Sequence, residues 1–142
     1  MRVSAKVDYA LRAMAELAAA PPGPVTKERL AQAQEIPPKF LESILLELRH
    51  AGLVASQRGV DGGYWLGRPA ADISLADVIR AVEGPLASVR GVRPDHVSYT
   101  GAAESLQGVW LELRSAMRGV LEQTSLADLV ERSRGDGGDG PT

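Results

Sequence analysis

The polar side chains best placed to form specific hydrogen bonds lie between residues 36 and 67. Lys39, Glu42, Ser43 and Arg49 share one face of a predicted helix and supply both donors and acceptors. The opposite face is apolar at three- and four-residue spacing and must be buried; it consists of Phe40, Leu41, Ile44, Leu45 and Leu48. The helix therefore presents a polar face whose position depends on a packed apolar one.

The flanking residues define where this helix begins and ends. Residues 37–38 are prolines, which suit a first turn that has no intrahelical N–H bonds to lose, and Gly52 is expected to end the helix. Two short β-prone runs follow, at residues 53–57 and 64–66, and the glycine-rich segment 58–63 between them favours a hairpin turn. A helix followed at once by such a hairpin, or wing, predicts a winged helix.

Two earlier helices complete the predicted domain. The first runs from Ser4 to about Ala20, and the second is capped by Thr26 and has Leu30 and Ala33 as its expected core anchors. Two short helices joined by a tight turn form a helix-turn-helix. With the fourth helix, capped by Ser74 and ending near Gly84, the fold class is mainly α with a small β-wing, and the winged helix-turn-helix domain covers residues 1–84.

The second half of the chain is predicted to hold the contacts between subunits. Residues 85–100 show no period and are expected to be an irregular connector, and residues 101–132 a long helix with a short terminal helix. A heptad stripe marks the long helix: Leu106, Trp110, Leu113, Met117 and Val120. Because no other helix in the chain is long enough to cover this stripe, a second copy, and hence a homodimer, is expected. The tail, residues 133–142, is expected to be disordered.

Composition excludes several classes of protein. The chain has 142 residues, 44% of them apolar, and no cysteine, which removes disulfides and thiolate-held metal sites. His50 and His96 are too few for a closed metal site, and no catalytic constellation is visible, so we expect no metal, no cofactor and no enzyme. No apolar run is long enough to span a membrane and no secretion signal is evident, which predicts a cytoplasmic protein.

The helix-turn-helix and wing give the polar residues specific roles on duplex DNA. Lys39 could contact a guanine edge or a phosphate, Glu42 a cytosine amino group, and Arg58 the minor groove. The predicted DNA-contacting surface comprises Thr26, Lys27, Pro38, Lys39, Glu42, Ser43, Arg49 and Arg58. The net charge of −2 does not exclude DNA, since affinity depends on charge placed at the phosphates. The alternative is a winged helix that binds only protein.

The sequence resembles the Rrf2 family of winged-helix transcription regulators. The matching segments span residues 1–132: 8–11, 40–42, 51–54, 58–59, 62–64, 82–85 and 125–129. The resemblance implies a homodimeric regulator that binds an imperfect palindrome, with the long helices crossed between subunits and with Lys39, Glu42 and Arg58 at the DNA. Our leading hypothesis is that the regulator is a repressor that acts by occupying a promoter.

The resemblance also implies an iron–sulfur cluster in some members, held by three cysteines in the segment that matches residues 90–106. Here that segment has no cysteine, so no cluster is expected. Asp8, which matches a cluster carboxylate in some members, is then expected to be a first-turn helix residue. The connector and the adjacent helix could instead bind a small-molecule effector, a partner protein, or nothing.

Overall fold

The computed structural model describes residues 2–138. Over this range the chain is mainly helical and carries one two-stranded antiparallel sheet. The elements are α1 (Ala5–Ala19), α2 (Lys27–Gln34), α3 (Pro38–His50), β1 (Val54–Gln57), β2 (Gly63–Leu66), α4 (Leu75–Glu83), α5 (Leu106–Leu121) and α6 (Leu126–Gly138). The predicted fold class, a winged helix followed by a long helix, is confirmed.

The core forms around α1. Ala10, Ala13 and Met14 are fully buried, and the two alanines let neighbouring helices approach closely. Helices α2, α3, α4 and α6 and strand β2 all pack against α1. The apolar face of α3 joins the same cluster. One continuous core therefore fixes the helix-turn-helix and the wing together.

Local hydrogen bonds set the ends of the helices as the sequence predicts. The Ser4 and Thr26 hydroxyls accept from the backbone N–H groups three residues later, both at 3.2 Å, and cap α1 and α2. After α3, Gly52 has φ +76°, and the Leu53 N–H donates to the Leu48 carbonyl at 3.0 Å. This is a Schellman motif, which turns the chain from α3 directly into the wing.

The wing is held to the helix-turn-helix by backbone bonds as well as by its own ladder. Val54 pairs with Leu66 at the base of the hairpin, and Gln57 pairs with Gly63 near its tip. Val25, just before α2, exchanges two backbone hydrogen bonds of 2.8 Å with Tyr64. A Cβ at Gly63 would lie 2.6 Å from the Val25 carbonyl oxygen, so this approach requires glycine. The orientation of the wing is thus linked to the start of α2.

The cap predicted at Ser74 is a capping box, and a second capping box, at Ser125, lies beside it. In each box the serine hydroxyl accepts from the backbone of the aspartate three residues on at 3.0 Å, and the carboxylate accepts in return. The Leu126 N–H also donates to the Ile73 carbonyl at 2.9 Å. The start of α6 is therefore tied to the start of α4.

Helix α6 therefore packs in a different part of the fold from the one that the sequence predicts. It packs on α1, and Leu126 is fully buried in the main core, so the terminal helix completes the domain that was expected to close at residue 84. The helix continues to Gly138, so residues 133–138 are helical where disorder was expected; residues 139–142 lie outside the described residues.

Three smaller expectations also differ from the structure. Phe40 is 41% exposed and contacts Tyr9 edge-to-face, with ring centroids 5.4 Å apart, because it lies at the margin of the buried face. Ala33 is exposed and Ala31 is buried in its place. The long helix begins at Leu106, after a 3-10 turn at Gly101–Ala103.

Within residues 2–138, no helix combines the length and apolarity that a membrane crossing needs.

Candidate nucleic-acid interface

An open groove of about 880 Å³ lies between α3 and the wing. Seven of the eight residues predicted to contact DNA line it: Thr26, Lys27, Lys39, Glu42, Ser43, Arg49 and Arg58. Pro38 is exposed at the first turn of α3 but is not part of the groove lining. Residues from three separate segments of the chain thus meet on one surface.

The apolar face of α3 fixes the direction of its polar face. Leu41, Ile44, Leu45 and Leu48 are each at most 1% exposed, so the helix cannot rotate without uncovering them. Lys39, the second residue of α3, is exposed at its N-terminal end. This end of a recognition helix is the part that contacts base edges in helix-turn-helix proteins.

The start of α2 lies beside the polar face of α3. The Lys27 ammonium is 3.6 Å from the Glu42 carboxylate, and the Lys27 side chain is 28% exposed. A partly exposed pair of this length contributes about 1 kcal/mol or less, so it can rearrange when a ligand arrives. The first N–H groups of α2 have no intrahelical partner, a feature of phosphate-binding helix starts.

The wing places Arg58 at the start of its turn, immediately after β1. A Cβ at Gly62 would lie 2.1 Å from the Gln57 carbonyl oxygen, so the turn can fold back on itself only with glycine there. Val60, at the tip, is fully exposed. Arg58 is also exposed, which leaves its guanidinium available to a ligand in the groove.

The groove is more basic than the chain as a whole. Its lining includes four basic side chains, those of Lys27, Lys39, Arg49 and Arg58, and two acidic ones. The whole chain has a net charge of −2. The excess positive charge is therefore local, and local charge is what binds phosphates.

Ten of the 17 residues that line the groove were not among the predicted contacts, and among them are the exposed side chains of Leu46, Gln57 and Val60, which a ligand in the groove could reach. Leu46 is 52% exposed and lies on the groove side of α3, three residues after Ser43 and three before Arg49. This spacing places Leu46 on the same face of the helix as Ser43 and Arg49, so its position could have been predicted from the sequence. Gln57 and Val60 line the wing side of the groove, but only the geometry of the turn reveals this.

The predicted dimer stripe lies on a helix that the chain itself leaves largely uncovered. None of the 16 residues of α5, all within the described range, is buried. Trp110 turns toward the connector, where its indole N–H donates to the Tyr99 hydroxyl at 3.0 Å. The exposed large apolar residues of α5 are Val109, at 52%, and Val120, at 65%. Val109 was absent from the predicted stripe.

The residues present do not fit an iron–sulfur cluster or a closed metal site. The chain has no cysteine, and within residues 2–138 no group of three or more His, Cys, Asp or Glu could hold a metal ion. Asp8 accepts hydrogen bonds from Arg12 in the next turn, at 2.6 and 3.0 Å. His50 and His96 lie on different elements.

The fold and the groove define the class of the protein, a winged helix-turn-helix protein with a basic groove beside its third helix. Residues 3–132 match the Rrf2 family, described as "Iron-dependent Transcriptional regulator". The chain belongs to the Rrf2 family. Members of this family regulate transcription and are not enzymes, and membership implies DNA as a partner.

Curated relatives and solved structures agree with this membership. The chain is 53% identical over 131 residues to a Mycobacterium tuberculosis protein named as an HTH-type transcriptional regulator, covering 92% of this chain and 81% of that one. It is also similar to CymR (YrzC), the global cysteine regulator of Bacillus subtilis: the structures superpose with a TM-score of 0.79 at 34% identity, over 93% of this chain and 98% of the other. For IscR of T. potens the TM-score is 0.76 at 32% identity, with 94% and 88% covered.

Proposed function

We propose that this chain is a sequence-specific DNA-binding repressor that acts as a homodimer on a palindromic operator and needs no iron–sulfur cluster. The observation that carries the proposal is the groove between α3 and the wing, in which seven predicted DNA-contacting residues meet. The N-terminal end of α3 would enter the major groove, and Arg58 the adjacent minor groove. Repression would follow from occupation of the promoter.

A homodimer is supported by the uncovered apolar side of α5. Val109, Leu113 and Val120 recur at four- and seven-residue spacing, and Val109 and Val120 are more than half exposed in the single chain. A second copy of α5 would cover this row and set two α3 helices at a fixed separation. Two-fold symmetry of the protein would then require two half-sites in the operator.

The absence of cysteine supports regulation without a cluster. The known sensing chemistry of cluster-bearing members requires thiolate ligands, and this chain has none. Any signal would therefore have to act through another ligand or through a protein partner.

Selection of duplexes from a random DNA library with the purified full-length protein tests the proposal. We expect enrichment of one short palindrome, with affinity that falls steeply as salt increases because bound phosphates release counterions. Transcription from a promoter carrying that palindrome should fall when the protein is added. The absence of enrichment would reject DNA recognition and favour the alternative, a winged helix that binds protein through the same groove.

Two substitutions test the assigned contacts on the selected palindrome. Arg58→Ala and Lys39→Ala should each weaken binding by about tenfold or more, since a lost charged contact costs on the order of 1–3 kcal/mol. Arg132→Ala is the matched control, because Arg132 is exposed on α6 and absent from the groove lining. Unchanged affinity in both test variants would mean that another surface binds the DNA.

A further inference from the structure

A second cleft, of about 320 Å³, lies where α4, the connector and α5 meet. It shares no lining residue with the groove between α3 and the wing. Four arginines line it: Arg80 of α4, Arg93 of the connector, and Arg114 and Arg118 of α5. No acidic side chain is among its lining residues. The cleft therefore concentrates positive charge from three parts of the chain.

Asp95 holds two of these arginines from outside the lining. Its Oδ1 accepts from Arg114 Nη1 at 2.9 Å and from Arg93 Nε at 3.2 Å. Burial opposes ionisation of this carboxyl, yet hydrogen bonds from its own backbone N–H and from Arg114 lower its pKa. Asp95 is thus ionised at neutral pH and fixes two guanidiniums against the connector.

Glu122 pairs with the other two, Arg80 and Arg118, but forms a hydrogen bond with only one of them. Its carboxylate accepts a hydrogen bond from Arg80, and Arg118 Nε lies 4.0 Å from the same oxygen, as an ion pair without a hydrogen bond. Within residues 2–138, the four guanidinium groups are thus paired with only two carboxylates, Asp95 and Glu122.

The guanidiniums keep most of their hydrogen-bonding capacity. Each carries five N–H donors, and the side-chain bonds formed within residues 2–138 engage a single nitrogen each of Arg80, Arg93 and Arg114. Arg114 is the most enclosed, with 18% of its side chain exposed. The remaining donors and the uncompensated charge suit an anion with several oxygens, which guanidiniums bind through paired hydrogen bonds.

The rest of the cleft is apolar. Pro85, Leu86 and the buried Pro94 are among the residues that line it. A volume of about 320 Å³ lies at the lower end of the range for small-molecule sites, about 300–1,000 Å³. The cleft is therefore sized for a small molecule with a charged head and a short apolar body.

We propose that this cleft binds a small organic anion that carries a phosphate or carboxylate group and a short apolar part. Besides the connector, its walls include Arg80 of α4, which packs on the DNA-binding core, and Arg114 and Arg118 of α5, the proposed dimer helix. If the proposed function holds, such a ligand is the effector, because it would bridge the two elements whose relative position sets the spacing of the α3 helices.

Calorimetric titration of the full-length protein with phenyl phosphate, benzoate and inorganic phosphate tests the site without DNA. We expect saturable binding of phenyl phosphate or benzoate, one per chain, and weaker binding of inorganic phosphate, which lacks the apolar part. Arg114→Ala should weaken binding at least tenfold, and so should Arg93→Ala, whose side chain is 56% exposed and can be removed without disturbing the core. Arg132→Ala, outside the cleft, should bind as the wild type does.

The titration and a DNA-binding arm give separable outcomes. No saturable binding of any probe, or equal weakening by Arg132→Ala, overturns the site. Weaker binding of Arg114→Ala to the selected palindrome without any probe would also overturn it, since the arginines would then be phosphate-backbone contacts. If phenyl phosphate binds but leaves operator affinity unchanged, the site stands and the effector role fails. If no palindrome is selected, the proposed function fails, and the titration alone tests whether the cleft binds an anion.

Discussion

Helices α3 and α5 both have an amphipathic sequence, but the chain covers only one of them. In α3 the apolar face is closed off by the core, with Leu41, Leu45 and Leu48 fully buried. In α5 no residue is buried, although the helix is longer, at 16 residues against 13. The same kind of pattern thus yields a helix whose polar face can bind a ligand and a helix whose apolar face still needs a partner.

The largest expected effect concerns the buried side of α3. Leu45→Ala should lower the free energy of unfolding by about 2–5 kcal/mol, because it leaves a cavity among fully buried side chains. Leu46→Ala is the matched control, since the adjacent leucine is 52% exposed and should cost about 1 kcal/mol or less. Urea unfolding, monitored by circular dichroism, measures the free energy of unfolding of both variants. Equal losses would contradict the packing of α3 described above.

The next effect concerns the uncovered side of α5. Val109→Asp and Val120→Asp should each raise the dimer dissociation constant more than tenfold, since an unpaired charge would be buried between subunits, at a cost on the order of 1.4 kcal/mol or more. Ser115→Asp adds the same charge at an exposed position on the other side of the helix and should leave the dimer intact. Sedimentation equilibrium measures the constants. Wild-type behaviour of both valine variants would exclude this face as the dimer contact.

A smaller effect is expected where α6 joins the start of α4. Ser125→Ala removes the hydroxyl that accepts from the Asp128 N–H at 3.0 Å, and should destabilise the protein by about 1 kcal/mol. Ser133→Ala, on the exposed side of the same helix, should change stability by about 0.5 kcal/mol or less. Thermal unfolding compares the two. A Ser125→Ala variant as stable as Ser133→Ala would mean that the capping box does not hold α6 on the core.

The smallest expected effect is on the stability of the protein at acidic pH. Hydrogen bonds from the Ser125 backbone and hydroxyl lower the pKa of Asp128 below its ordinary 3.8. Because the folded pKa is the lower one, the unfolded chain binds more protons near pH 4, and stability falls as pH drops through the folded pKa. Asp128→Asn should flatten the decline in unfolding free energy between about pH 5 and pH 2. A slope identical to that of the wild type would show that the carboxylate is not stabilised in the fold.

Much of the DNA-binding half was predictable because its signals are local. The apolar spacing of α3 and the caps at Ser4 and Thr26 act over three or four residues, and each appears in the structure as expected. Seven of the eight predicted contact residues line one groove, but contacts between distant segments, such as the bonds between Val25 and Tyr64, bring them together. Phe40 lies at the edge of the buried face, where periodicity alone cannot tell a covered position from an open one.

The structure of the second half of the chain could not be predicted as well, because it depends on contacts between distant segments. Trp110 follows the heptad stripe in the sequence, but the connector carries Tyr99 to its side of α5, and Val109 is left among the exposed apolar residues instead. Helix α6 joins the first core because Ile73 and Leu126, 53 residues apart in the chain, pair through a backbone hydrogen bond. No local pattern specifies such a pairing.

The sequence by itself determined the helix-turn-helix, the wing, the polar face of α3 and the lack of thiolate ligands, since propensity, period and inventory are properties of neighbouring residues or of composition. Only the tertiary structure decided which side of α5 stays open, where α6 packs, and that Arg80, Arg93, Arg114 and Arg118 share one cleft. The physical reason is that a cleft is formed by packing, and the packing of α4 against α5 brings together charges that lie up to 38 residues apart in the chain.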